Sequence, residues 1–356
     1  MNPSPLLPAP DVIPAPAWLF HVLGTTLFTL HILLINIILG GSAIMLFRRF
    51  SSAGEAPPFS DALAHKLPVL FALGITMGVA PLLFVQVILG HLFYTSSILM
   101  AVWWILVIPL LILAYYGAYV HAKSARPVFA GSAIAAVVLI LLYIAFVYVN
   151  NLLMMMQPAK WSAYFANRGG TLLVLPDPTL LPRYLHFVTA SVAIAGLFFA
   201  TVWTMRKNRG IQNADANASL GLKIFGYATV VQVAIGFWFL ISLNREFMLQ
   251  FMGGDLLFTV IFALGFFSGL GAIATAFAGK LRPSVIQAAI TVVAMVITRD
   301  NLRTLYLQSQ FDPSTLQVNP QYGVMALFFV ILIIGLACVA WMVKAGFANA
   351  PGRAAQ

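Results

Sequence analysis

AWLFHVLGTTLFTLHILLINIILGGSAIML, residues 17–46, holds thirty consecutive residues without a lysine, arginine, aspartate or glutamate. A helix rising about 1.5 Å per residue crosses a ~30 Å hydrocarbon layer in about 20 residues. The stretch therefore spans a bilayer with room at both ends. Hydrocarbon offers no partner for a backbone N–H or C=O, so a single crossing segment must be a helix. The residues that do not belong there are His21 and His31.

The same reading extends along the chain. Eight further apolar runs follow, at 67–90, 97–120, 128–150, 183–205, 220–243, 256–279, 283–298 and 322–343. The eighth of the nine is the shortest and is expected to continue past Arg299. The predicted fold class is an all-α integral membrane protein, nine transmembrane helices in one bundle. The stretch at 151–182 forms its main outer loop, and no soluble domain is inserted. Composition agrees: 62% of the 356 residues are apolar, 8% are charged and mean hydropathy is +0.97. A soluble domain carries about 25% charged residues. The lone cysteine, Cys338, excludes an intrachain disulfide, and no CxxCH is present to attach a c-type haem. The first eighteen residues have no basic residue, so they lack a signal peptide's charged start and the first run reads as a retained span.

The net charge of +10 comes from 19 Lys+Arg against 9 Asp+Glu. These basic residues lie in the gaps between runs, which speaks for membrane topology and against a nucleic-acid partner. With the N-terminus outside, 13 Lys+Arg fall on one side and 6 on the other. The positive-inside rule then predicts a periplasmic N-terminus and a cytoplasmic C-terminus. The expected location is the bacterial inner membrane, multi-pass and in contact with lipid. Two GxxxG patterns, Gly74-Ile-Thr-Met-Gly78 and Gly265-Phe-Phe-Ser-Gly269, indicate close helix packing or, alternatively, a flat cofactor against a bare helix face.

Ionisable groups at membrane depth are costly, so each is a site candidate. Of six histidines, His31 and His186 lie inside runs and His21 and His91 lie near outer ends. His65 and His121 read as surface residues. A buried histidine can simply be hydrogen-bonded to a neighbouring helix, or it can ligate haem iron. His21 and His31 stand about 80° and roughly 15 Å apart on an ideal helix, too far to share one iron. No acid falls clearly inside a span, since Asp255 and Asp300 are placed at outer ends. That argues against a proton pump. Met154-Met155-Met156 reads as soft filler at a helix end.

Three stretches together resemble the haem-bearing large subunit of cytochrome bd-type quinol oxidases. They are His31-Ile-Leu-Leu-Ile-Asn-Ile-Ile-Leu-Gly40; Leu70 to Gly78 running on to Gln86, Gly90 and Phe93-Tyr94-Thr95-Ser96; and Met156-Gln157-Pro158, Asp177-Pro178 and Arg183-Tyr-Leu-His186. The resemblance covers most of the chain, weakly after residue 250. It implies that His31 ligates a high-spin haem b and His186 a low-spin haem b, so two or more haems b. Departures are specific. Phe84 stands where the family has a carboxylate, and Trp103 and Trp104 stand where its third span has another. Its methionine ligand aligns near Ile261. Its Gly-Arg-Gln-Pro-Trp motif becomes Thr298-Arg299-Asp300-Asn301-Leu302-Arg303. Its long quinol-binding loop shrinks to Asn244–Asp255.

Reducing dioxygen to water consumes protons, and these runs offer no acid to deliver them. The expected function is therefore electron transfer by a membrane cytochrome b. It would run between membrane quinol and a periplasmic c-type cytochrome, single-haem or multihaem, docked near 151–182 and 299–321. In that scheme His91 or His21 serves as a further iron ligand. Arg299 and Arg303 pair with haem propionates, and Glu246 accepts a quinol proton. A true oxygen-reducing oxidase and a haem-free anchor or transporter subunit are the alternatives.

Overall fold

The computed structural model describes residues 7–51, 59, 61–124 and 126–348. Among them are nine helices long and apolar enough to cross a membrane. They are α1 (Ala17–Ser51), α3 (Leu67–Leu99), α4 (Ala101–Lys123), α5 (Pro127–Met156), α6 (Leu180–Lys207), α7 (Ala214–Ile241), α9 (Leu256–Phe277), α10 (Leu281–Leu307) and α11 (Tyr322–Ala348). Two short helices, α2 (Asp61–Ala64) and α8 (Arg245–Leu249), lie in connections. No strand occurs among the described residues beyond one isolated bridge, Ile13 with Val318.

Several boundaries move outward from the apolar runs. The second span does not close at His91. Its helix bends where Leu89 leaves helical geometry (φ −118°, ψ 24°) and continues to Leu99, so His91 sits within α3. Pro81 in the same helix removes a further backbone bond. The eighth span continues through Arg299 to Leu307, as its length required. Asp300 therefore lies inside a helix, where the apolar run had placed it at a span end. The run stops at Arg299, but the helix continues because neighbouring side chains pair with the charges there.

One end of the bundle is rich in connections, and hydrogen bonds tie them together. Val102 N donates to Gly170 O at 3.0 Å and Leu172 N to Leu99 O at 3.1 Å, joining the α3–α4 junction to the α5–α6 connection. Trp103 Nε1 donates to Thr171 O at 3.1 Å, so it packs at this junction. Ile13 N donates to Gln317 O at 2.9 Å, and Gln321 N to Pro14 O at 3.0 Å. The residues ahead of α1 and of α11 therefore meet at this same end. Within the α5–α6 connection Asp177 gathers Gln157, Lys160 and Thr179 (2.7, 3.1 and 2.6 Å). Burial pushes its carboxyl upward, but those donors outweigh burial and hold it below the ordinary carboxylate range. Met154, Met155 and Met156 are buried against this connection, in the filler role expected of them.

Packing inside the bundle relies on small residues. The tightest approaches are α6 on α7 and α1 on α6. A Cβ on Gly196 would stand 2.8 Å from Phe225 N, and one on Gly221 2.6 Å from Ala200 N. A Cβ on Gly40 would strike the Ser191 carbonyl. Without a hydrophobic force between helices in lipid, such backbone approach is a principal source of association. Gly74 packs on Ile38 of α1, and Gly265 packs on Met295 and Ala294 of α10. α11 differs from the rest: its membrane-spanning portion buries nothing, and its apolar side chains face outward on every side. The exposed surface elsewhere is also apolar, including Leu73, Ile105, Val230 and Leu264. A multi-pass membrane protein presents such a surface to lipid.

Candidate functional site

An apolar cavity of about 260 Å³ opens between α1, α6, α7, α9 and α10, towards the connection-rich end. Arg183 and His186, three residues apart on α6, project from one helix face into its lining. Gln232 and Gly236, four apart on α7, share another face, and Met295 and Arg299 stand in the same relation on α10. Phe28, Ile32 and Asn36 supply the α1 wall at the same helical spacing. Gly265, Gly269 and Ala272, together with Phe262 and Phe266, make the α9 wall.

The polar atoms around this cavity set it apart. Nine buried side-chain nitrogens or oxygens among the described residues have no hydrogen-bond partner, and five of them belong to its lining. Those five are Arg183 Nε and Nη2, His186 Nδ1, Gln232 Oε1 and Arg299 Nε. Each unpartnered buried group costs about 1–3 kcal/mol. Gathering them around one space is what a polar ligand would relieve. The Nδ1–Cε1 edge of His186 leans on bare backbone at Gly236, where a Cβ would stand 3.3 Å from Cε1. Both arginines lie over rings: Arg183 sits 4.6 Å from the Phe239 centroid and Arg299 4.2 Å from that of Phe28. Stacking holds the guanidiniums in place while leaving N–H groups free.

Charge is equally uneven. Asp300 Oδ1 accepts from Arg299 at 2.9 Å and from Arg303 at 3.1 Å, and its Oδ2 accepts from Thr25 at 2.8 Å. Arg183 has no acid partner among the described ion pairs, and Asp177 is taken by Lys160 at 3.1 Å. Arg299 and Arg303 thus share one carboxylate, while Arg183 stands without an ion-pair partner among the described residues. The lining combines apolar walls with cationic and unpartnered polar groups.

The structure separates the other residues singled out from the sequence. His31 lines neither cavity described here. Its ring fills the gap between α1 and α3 over Gly78, and Nδ1 bonds Gly74 O at 3.0 Å. The first GxxxG pattern thus makes room for a histidine. Gly265 and Gly269 of the second pattern both pack α10 and line the cavity, so both senses of that pattern meet. His91 packs edge-on against Phe311, centroids 4.6 Å apart, away from the cavity. His21 and Arg303 line a second, smaller crevice next to α10, and Arg303 reaches Asp300 rather than the cavity. Glu246 is exposed on α8 and belongs to no ion pair among the described residues. His121 is half-buried, with Nδ1 bonded to Ala130 O at 2.9 Å, and His65 is exposed.

Sequence reasoning did not weigh Arg183, Gln232 or Met295 as site residues. Arg183 carried a signal, being a basic residue three before the strongest histidine candidate. Gln232 and Met295 carried none, because a glutamine or methionine in an apolar run is most often packing. Fold and site define a multi-pass helical membrane protein with an apolar cavity that bears a histidine and two arginines. No protein-family model matches the chain, and no curated protein matches it.

Proposed function

We propose that this protein is a haem b-bearing electron-transfer subunit of a bacterial inner membrane. In this reading it carries electrons between membrane quinol and a c-type cytochrome at its periplasmic face, the connection-rich end. The observation that carries the reading is the joint presence, around one cavity, of an unpartnered imidazole nitrogen, unpartnered guanidinium N–H groups and an arginine, Arg183, with no ion-pair partner among the described residues. Haem b supplies the complementary chemistry: a flat apolar macrocycle, two carboxylates, and an iron that takes one electron at a time.

The chain's own residues have separable parts in this reading. His186 offers ring nitrogen to iron, and Gly236 gives its ring room to lie against α7. Met295 is the one methionine of the lining and its thioether could serve as a second iron ligand. Arg183 and Arg299 would hold the two propionates, their guanidiniums oriented by stacking on the rings of Phe239 and Phe28. Positive charge beside the site favours the reduced, more negative form and raises the potential. The apolar walls exclude water from it. The carboxylates expected of an oxygen-reducing site are replaced by Phe84, Trp103 and Trp104, which supports electron transfer over dioxygen reduction.

The test is direct. Protein purified after expression with adequate haem shows a reduced-minus-oxidised b-type spectrum, and His186→Ala loses it while still eluting as a folded species. A colourless wild-type preparation would overturn the reading.

A further inference from the structure

We infer that the crevice between the outer halves of α1 and α10 binds the headgroup of a quinol. This inference rests on the electron-transfer reading above and gives it an entry site. The crevice encloses about 210 Å³ and is lined by His21, Thr25, Asp300, Asn301 and Arg303 together with Ile297. It is distinct from the cavity holding His186, yet the two are joined by adjacent residues: Arg299 lines the cavity and Asp300 lines the crevice.

The free hydrogen-bonding groups define the ligand. Asp300 is occupied by Thr25, Arg299 and Arg303, which fixes the crevice wall. His21 makes no hydrogen bond among the described residues, so its imidazole is free to accept from a hydroxyl. Asn301 Nδ2 is buried and has no partner, so it is free to donate. Arg303 Nη2 is spent on Asp300, but a guanidinium has further N–H groups. An acceptor on one wall and donors on the other suit a small ring with an oxygen at each end. The surroundings say how it arrives. Trp18 and Val22, on either side of His21, are 65% and 56% exposed, and Val293 below Ile297 is 46% exposed. The mouth therefore lies on apolar, lipid-level surface and suits a ligand dissolved in the bilayer. The short Asn244–Asp255 connection contributes Phe251 to the cavity holding His186 but no residue to this crevice.

The experiment uses the full-length protein in lipid nanodiscs and a short-chain azidobenzoquinone as photoaffinity probe, with labelled peptides mapped by mass spectrometry. Label is expected on peptides containing residues 18–25 and 297–304. It should be competed by unlabelled decylbenzoquinol and weakened about tenfold in apparent affinity by His21→Phe or Asn301→Leu, the size of one lost hydrogen bond to a polar partner. These two variants spare the Asp300 ion cluster, so folding is preserved and checked by elution profile. Label centred on 244–255, or unchanged in both variants, overturns the assignment. So does competition by phosphatidylglycerol or inorganic phosphate at equal strength, which would make the crevice a headgroup or anion site. A b-type spectrum with no label at the crevice sinks this site alone, whereas absence of haem sinks the parent reading.

Discussion

His31 and His186 are the same side chain on two apolar membrane-spanning helices, and the protein treats them in opposite ways. His31 lies between α1 and α3, its Nδ1 on a backbone carbonyl and its ring seated over a glycine. His186 lies between α6 and α7, with Nδ1 sealed and unpartnered beside a cavity and a guanidinium one turn away. The first side of the bundle is closed by interlocking Ile, Leu and Phe, with Ile38, Phe71 and Ile134 almost fully buried. The second holds a cavity among five helices, lined by Arg183, His186, Gln232 and Arg299 in otherwise apolar walls. The contrast teaches that a polar residue in an apolar span does not by itself mark a site. What marks it is whether neighbouring helices complete its hydrogen bonds or leave them for something else.

The sharpest way to break this contrast is His31→Ala. Its expected cost is about 1–3 kcal/mol, from a lost hydrogen bond and the hole left over Gly78, read as a lowered unfolding temperature in detergent. The haem b absorbance per protein should stay as in the wild type. If it falls by half, a second haem sits on the α1–α3 side and the two histidines are alike after all.

Arg183→Gln sharpens the other side of the comparison. Removing the cavity guanidinium that has no ion-pair partner should lower the haem midpoint potential on the order of 60 mV, a tenfold change for a one-electron couple, with the spectrum kept. Potentiometric titration reads this directly. An unchanged potential would show that the guanidinium is structural, as His31 is.

The smallest effect concerns the α5–α6 connection, which leads into the helix that carries Arg183 and His186. Asp177 is held below the ordinary carboxylate range in the folded protein. A group depressed in this way contributes stability that is present above its unfolded value and lost as pH falls through its folded value. Thermal unfolding of wild type and Asp177→Asn should therefore differ near neutral pH and converge in acid. Equal unfolding temperatures at every pH would show that Gln157 and Thr179 hold the connection without the charge.

Most of the architecture is legible in the sequence, and for a simple reason. A lipid-spanning segment must be apolar, uncharged and long, so each helix writes itself as a run. The sites at which the runs mislead are places where tertiary partners override composition. Leu89 bends a helix without ending it, so His91 lies inside α3 and not at its close. Asp300 survives inside α10 because Thr25, Arg299 and Arg303 satisfy it. The candidate site is legible only in part. His186 and Arg299 stand out as polar groups in apolar surroundings, but so do His31, His91 and His21, and nothing in their spacing separates them.

The sequence by itself determines that this chain is helical and membrane-spanning, because hydrocarbon forbids unsatisfied backbone and charge, and that constraint acts locally along each run. It also names the small set of polar side chains from which any site must be drawn. Only the tertiary structure decides which of them converge. Helix rotation and crossing, set by close approaches such as Gly196 with Phe225 and Gly40 with Ser191, turn His31 onto a carbonyl and His186, Arg183 and Arg299 onto a common void. Those contacts join residues far apart in the chain, and no periodicity within one run records them.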